Sequence, residues 1–327
     1  MTEQLVTFVE PGGAALPLFA VRLAAPDLTP WLPGNTGVPG YHSFAGASAG
    51  PHVAIVALTH GNELTGAIVL DRLLRQGLRP RRGRLTLGFN NLAAFARFDP
   101  AQPTATRFLD EDLNRVWDLT VLEGPRQSSE LDRARQIRPL IDTVDVLLDL
   151  HSMLWPSDPL ILSGMTAKGR GLACAIGTPA LAIADRGHVS GRRLIDYGRF
   201  AIETARPVAN LVEAGQHWEP ETVEQAEATV GALLRHVGMA ETGSVPATSA
   251  PARRTAEVTM VVTAATSGFA FVRHFEGGEI VPRRNTLIAV DGTAEIRTPH
   301  DDCLMVMPSL RPSRGHTAVR LARFVES

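Results

Sequence analysis

The chain has 327 residues, with 32 Lys plus Arg against 34 Asp plus Glu, a formal charge of −2, 44% apolar residues and 20% charged ones. These are ordinary globular values; they exclude disorder, collagen-like repeats and coiled coil, and the near-zero balance argues against nucleic acid as the main partner. The length suggests about two domains with a core that needs no disulfide or structural metal, and two cysteines, Cys174 and Cys303, are too few for a disulfide framework or a Cys-based zinc site.

The opening residues MTEQLVTFVEPGG lack the basic and long apolar regions of a signal peptide. The uncharged stretch Gly171 to Ala184 contains Gly and Pro and is shorter than the roughly 18 residues of a membrane span. A cytoplasmic protein with no membrane partner is therefore expected, and assembly into homo-oligomers is left open. The basic run Arg79, Arg81, Arg82 and Arg84, beside Pro80 and Gly83, reads as a solvated turn.

Residues 1–50, rich in Pro and Gly, predict an irregular N-terminal segment packed on the main domain. Over 51–238 the near-continuous apolar runs 53–58, 85–89, 144–150, 159–163 and 209–213 predict strands buried on both faces. Between them lie helix-period stripes: Leu64, Ala67, Ile68 and Leu74; Leu131, Ala134, Ile137 and Ile141; Val223, Ala226, Val230, Leu233 and Val237, ended by Gly238. Ser129 with Asp132 reads as a capping box for the second. The fold class is α/β, a sheet between helices. Residues 239–255 have linker composition, and 256–327 predict a small β-rich domain, with Asp291-Gly292 as a type I′ hairpin turn.

The chemistry sits just past the strand ends. VAIVAL runs into Thr59-His60-Gly61-Asn62-Glu63, placing Glu63 in the first turn of the next helix, and VDVLLDL runs into His151. Ligands of open α/β sheets bind at the carboxyl ends of strands. Two histidines and one glutamate (His60, Glu63, His151) supply the ligands of a catalytic zinc site with one position left for water. His-x-x-Glu alone is also what a helix-start glutamate near an incidental histidine would give; the second strand-terminal histidine favours the metal.

The segment RFLDEDLNR, 107–115, is either a surface salt-bridge network or a substrate clamp. In the second reading Arg107 stabilises a developing oxyanion and Asn114 with Arg115 holds a substrate carboxylate. Glu213, leaving an apolar strand, either pairs with an arginine for structure or moves a proton from water to a leaving amine. Asp149 reads equally as a group orienting His151 or as a buried structural carboxylate. Asp112 reads as a tether of the 107–115 turn, His188 and His217 as ordinary loop histidines, and Cys174 as a buried thiol.

The motifs THGNELTG, TRFLDEDLNR, DLHS and VEAG, in that order, resemble the aspartoacylase/succinylglutamate desuccinylase family, over roughly residues 50–238. That resemblance implies a carboxypeptidase-like fold and one zinc per chain held by His60, Glu63 and His151. It also implies Arg107 as carbonyl polariser, Asn114 and Arg115 as carboxylate holders, and Glu213 as general base and acid. The implied partner is a small N-acyl amino acid or similar carboxylate. The alternatives are a zinc carboxypeptidase acting on short peptides and a non-catalytic binding protein of the same fold. Two departures bear on substrate. The tyrosines, Tyr41 and Tyr197, both precede the β domain, from which aspartoacylase supplies one, and neither Arg199 nor Arg206 matches its side-chain-binding arginine convincingly. The tail resembles a lipoyl-type barrel without a lysine at Asp291-Gly292, so a lid or interface role is expected rather than cofactor attachment.

Overall fold

A computed structural model describes residues 8–9, 15–16, 19–240 and 254–325, so most of the expected linker, 239–255, lies outside the described residues. The chain divides into two compact units, one of residues 21–152 and 159–253, the other of 1–20, 153–158 and 254–327.

The larger unit contains β3 (Tyr41–Ala45), β4 (Ser48–Ala57), α1 (Leu64–Arg75), β5 (Arg82–Phe89), α2 (Leu92–Phe95), α3 (Leu119–Leu122) and α4 (Ser129–Ile141). It continues through β6 (Val146–Met153), β7 (Leu160–Leu162), α5 (Ala167–Ile176), β8 (Leu181–Ala184), β9 (Val208–Gln216) and α6 (Pro220–His236). Its strands lie in the order β8-β7-β9-β6-β4-β5-β3. The pairs β4/β5, β4/β6 and β7/β8 are parallel, whereas β3/β5 and β7/β9 are antiparallel. Val53 to Ala57 are all fully buried, as expected of a strand covered on both faces. On one face Val53, Ile55 and Ala57 join a core with Ala67 and Leu70 of α1, Leu172 of α5 and Leu233 of α6. Emptying such a site, as in Leu70→Ala, costs about 2–5 kcal/mol.

Two local expectations shift by one residue. The N-cap of α4 is Ser128, whose hydroxyl accepts from Leu131 N, because the N–H of Ser129 is taken by Asp110 Oδ2 at 2.7 Å. In the smaller unit Asp291 pairs with Ala294, so the turn is Gly292-Thr293 rather than Asp291-Gly292. Gly292 has φ +63° and Thr293 has no positive φ, which fits a type II′ turn rather than I′. The Asp291 carboxylate is spent on the backbone N–H groups of Ala265 and Thr266.

That smaller unit contains the short pair β1 (Phe8–Val9) and β2 (Ala15–Leu16), and β10 (Arg254–Thr263), β11 (Phe269–Phe271), β12 (Ile280–Val281), β13 (Leu287–Asp291), β14 (Ala294–Arg297), β15 (Cys303–Val306) and β16 (Thr317–Val325). Antiparallel β12-β15-β16-β10 and β11-β13-β14 enclose Val262, Phe269, Phe275, Ile288, Met305 and Leu321. The segment 153–158 belongs here, with Asp158 N donating to Gly277 O at 3.0 Å. A Cβ at Gly277 would meet Ser157 Oγ at 1.8 Å, so only glycine fits.

No helix among the described residues is long and apolar enough to cross a membrane.

Candidate metal centre and substrate turn

The register Ala57–Leu150 between β4 and β6 brings the segments that follow both residues to one edge of the sheet. The chain leaves β4 through Leu58, a leucine at φ +58°, a conformation held by Asn91 N donating to Leu58 O at 2.7 Å. Gly61 then passes so close to Ala94 that a Cβ would lie 2.6 Å from its backbone. Glu63 is the N-cap of α1 rather than a residue of its first turn.

His60, Glu63 and His151 are buried, with one ligand atom from each within 4.8 Å of the others. Nδ1 of His60 lies 2.6 Å from Glu63 Oε1, and Nδ1 of His151 lies 2.9 Å from Glu63 Oε2. Behind each ring stands a carboxylate: Asp112 Oδ1 is 2.9 Å from His60 Nε2, and Asp149 Oδ2 is 3.0 Å from His151 Nε2. Two ring nitrogens and a carboxylate facing one point, each ring backed by an acid, is the donor set and support that a catalytic zinc ion uses. The residues therefore fit the metal.

The electrostatics agree with this concentration of charge. Burial by itself would raise Glu63, but the charges and hydrogen bonds of His60 and His151 hold it well below the usual carboxylate range. Burial would also raise Asp112, yet His60, Arg107 and Arg115 hold it well below that range. His151 goes the other way: Asp149 and Glu63 outweigh burial and raise it well above the usual histidine value.

The 107–115 segment reaches the same cluster. Arg107 Nη1 is 3.3 Å from Glu63 Oε1, and its Nη2 is 2.9 Å from His60 Nε2 and 3.5 Å from Asp112 Oδ2. Arg115 Nη2 is 3.6 Å from Asp112 Oδ2, and its Nη1 donates to Asn114 O at 2.6 Å. Asn114 is buried, and its Oδ1 accepts from Leu194 N at 2.8 Å, so this oxygen fixes the neighbouring loop and the amide nitrogen is what it has to offer a ligand.

Direct contacts thus join His60, Glu63, His151 and Arg107; Arg115 reaches them through Asp112, and Asn114 is attached to Arg115 through its backbone oxygen. Glu213, half-buried, lies opposite Leu160 on β9, the strand beside β6, four residues before His217. Arg199 donates to Asp142 O, Tyr197 OH donates to Asp142 Oδ1 at 2.7 Å, and Tyr41 OH donates to Asn90 Oδ1.

Two residues escaped the sequence reading. His217, expected to be an ordinary loop histidine, is fully buried with Nδ1 2.8 Å from the Ser152 hydroxyl, and Ser152 N donates to Glu63 Oε2 at 3.3 Å. Burial pushes His217 down to about 3, so it is neutral at physiological pH. Glu130, fully buried on α4, accepts from Leu109 N at 2.7 Å, Asp110 N at 3.0 Å, Glu111 N at 3.2 Å and Asn91 Nδ2 at 3.0 Å. One carboxylate thus sets the backbone of the arginine-bearing turn. The proximity of His217 to Glu213 in VEAGQHW was the one available signal; nothing local marks Glu130.

Residues 49–166 match the family model "Succinylglutamate desuccinylase/Aspartoacylase catalytic domain". The chain is 35% identical to the aspartoacylase of Mus musculus over 109 residues, 31% of this chain and 33% of that protein. It is 29% identical over 109 residues to N-acyl-aromatic-L-amino acid amidohydrolase (carboxylate-forming) A of Danio rerio, 31% of this chain and 32% of that protein. The match thus spans about a third of the length of these curated relatives. In structure, succinylglutamate desuccinylase from Vibrio parahaemolyticus superposes with a TM-score of 0.66 at 17% identity, covering 88% of this chain and 87% of that one, which shows a shared fold. The matched segment contains His60, Glu63, Arg107, Asn114, Arg115 and His151 but stops short of Glu213. Residues 49–166 of this chain are thus similar to the catalytic domain of the succinylglutamate desuccinylase/aspartoacylase family.

Proposed function

We propose that the protein is a zinc-dependent amidohydrolase that deacylates an N-acyl amino acid or a similar small carboxylate. The observation that carries this reading is the buried convergence of both imidazole Nδ1 atoms on the Glu63 carboxylate, with the Arg107 guanidinium beside it. His60, Glu63 and His151 would hold the ion. Zinc bound there supplies a Lewis acid for a carbonyl and lowers the pKa of coordinated water to about 7.

The chain's own groups do the rest. Arg107, more than a third exposed although its head group touches the cluster, presents cationic N–H donors where charge develops on the amide oxygen. Arg115 and the Asn114 amide nitrogen hold the substrate carboxylate and orient the scissile bond. Glu213 takes a proton from the attacking water and delivers it to the departing nitrogen. His217, neutral and buried against Ser152, keeps water and stray charge from that side. The low cysteine content, Cys174 and Cys303 alone, supports a reducing, cytoplasmic setting.

The experiment is a release assay with the zinc-loaded protein on N-acetyl, N-succinyl and longer N-acyl amino acids, with short peptides in parallel. Release of free amino acid from the N-acyl panel is expected. Hydrolysis confined to peptides would favour a carboxypeptidase, and binding without turnover a non-catalytic protein.

A further inference from the structure

We propose that Thr59, with Asn90 and Tyr41 behind it, fixes the proton of His151 on Nε2 by way of Asp149, and so positions a metal ligand from outside the metal's own shell. This inference rests on the metal reading above.

The members form one buried line. Tyr41 OH donates to Asn90 Oδ1; Asn90 Nδ2 lies 2.8 Å from Thr59 Oγ1; Thr59 Oγ1 lies 3.0 Å from Asp149 Oδ1; Asp149 Oδ2 lies 3.0 Å from His151 Nε2. All five side chains are buried, so no bulk water replaces a missing partner. The outer end is closed by Arg133, whose guanidinium sits 5.6 Å over the Tyr41 ring and whose Nε donates to Asn90 O at 2.6 Å.

Donor chemistry gives the line a direction. An amide nitrogen only donates, so Thr59 must accept from Asn90, and its own single proton goes to Asp149 Oδ1. Turning the Asn90 amide over would place its nitrogen against the tyrosine hydroxyl and its oxygen against Thr59. The tyrosine proton would then have no acceptor, and the threonine proton would be drawn away from Asp149. With Oδ1 occupied by Thr59, Oδ2 is left to His151. Asp149 Oδ2 and His151 Nε2 are both buried without a hydrogen bond and face each other at 3.0 Å as an ion pair, so proximity and charge match them. A proton held on Nε2 leaves the Nδ1 lone pair aimed at Glu63 and the metal point.

The test is zinc affinity, measured by competition with a chromogenic chelator, for the wild type, Thr59→Val, Thr59→Ser and Asn90→Asp, with thermal melting to establish folding. Valine keeps the shape and removes the hydroxyl; Asn90→Asp removes the donor to Thr59 and offers it a competing acceptor. Both are expected to weaken zinc binding by about 10- to 100-fold. Thr59→Ser is expected to restore it, which a purely steric role of the threonine would not do. Long-range ¹H–¹⁵N spectra of the zinc-loaded wild type should place the His151 proton on Nε2. Should Thr59→Val fail to fold, Asn90→Asp decides. Folded variants that bind zinc as tightly as the wild type would overturn the relay while leaving the metal site standing. A wild type that takes up no zinc would overturn the metal reading and the relay with it.

Discussion

The two halves of the candidate site are built in different ways. His60 and His151 stand near the ends of β4 and β6, where parallel pairing sets their spacing before any side chain is considered, and Glu63 caps the helix that follows β4. The segment 107–115 has only a short 3-10 turn, Leu113–Arg115, and owes its shape to side chains from elsewhere: Glu130 from α4 on three successive N–H groups, and Asn114 reaching to Leu194. A metal centre on strand ends inherits the rigidity of the sheet. A substrate clamp on a turn depends on a few hydrogen bonds, and a single substitution far from the metal can misplace it.

Substitutions at the two halves should therefore fail differently. Among variants that keep the metal, the largest effect is expected from Glu213→Gln, which keeps the shape but removes the proposed proton carrier. Its kcat should fall by about 10²- to 10⁴-fold with zinc stoichiometry unchanged, checked by steady-state kinetics beside metal analysis. Wild-type turnover in this variant would remove Glu213 from the mechanism.

Next comes Glu130→Gln, which puts an NH₂ group among backbone N–H donors and leaves buried donors without an acceptor at a cost of about 1–3 kcal/mol. It should lower kcat/KM by up to about 10²-fold, chiefly through KM, as a displaced Arg115 loses the substrate carboxylate. Zinc affinity should change far less, and kinetics combined with chelator competition separates the two. An equal loss of zinc would mean that turn and metal centre are one rigid body.

The smallest effect concerns acid. Hydrogen bonds from Ser129 hold Asp110 below the ordinary carboxylate value. A depressed carboxylate stabilises the fold above its unfolded pKa, about 3.9, and that contribution disappears as pH falls through the folded value. Asp110→Asn should therefore melt slightly lower than wild type at pH 7, and the gap should close below about pH 4. A gap constant with pH would remove ionic character from this anchor.

The same contrast explains what was legible in the sequence. Period and strand ends carry the fold, so β4, β5, β6, β7 and β9, the β-rich tail, and the placement of His60 and His151 followed from local pattern. The turn could be recognised by its charges but not understood, because Glu130 meets it from 19 to 21 residues away and nothing near Glu130 marks it as other than a helix-start acid. Ser128 rather than Ser129 caps α4 because Asp110 claims the next N–H, again a contact across the fold. Asn114 was seen as a ligand group, yet one of its two polar atoms is committed to Leu194. Thr59, Asn90 and Tyr41 lie on three separate segments, and only the register of β3, β4 and β5 assembles them into one line.

The central claim is that His60, Glu63 and His151 hold one zinc ion that makes this protein an N-acyl amino acid hydrolase. The most direct measurement is zinc stoichiometry of the purified, zinc-equilibrated wild type, Glu63→Gln and His151→Ala, each assayed at once for release of amino acid from N-acyl substrates. The account predicts one zinc per chain and turnover in the wild type, with both lost in each variant. A wild type without stoichiometric zinc, or variants that keep zinc and activity, would contradict it.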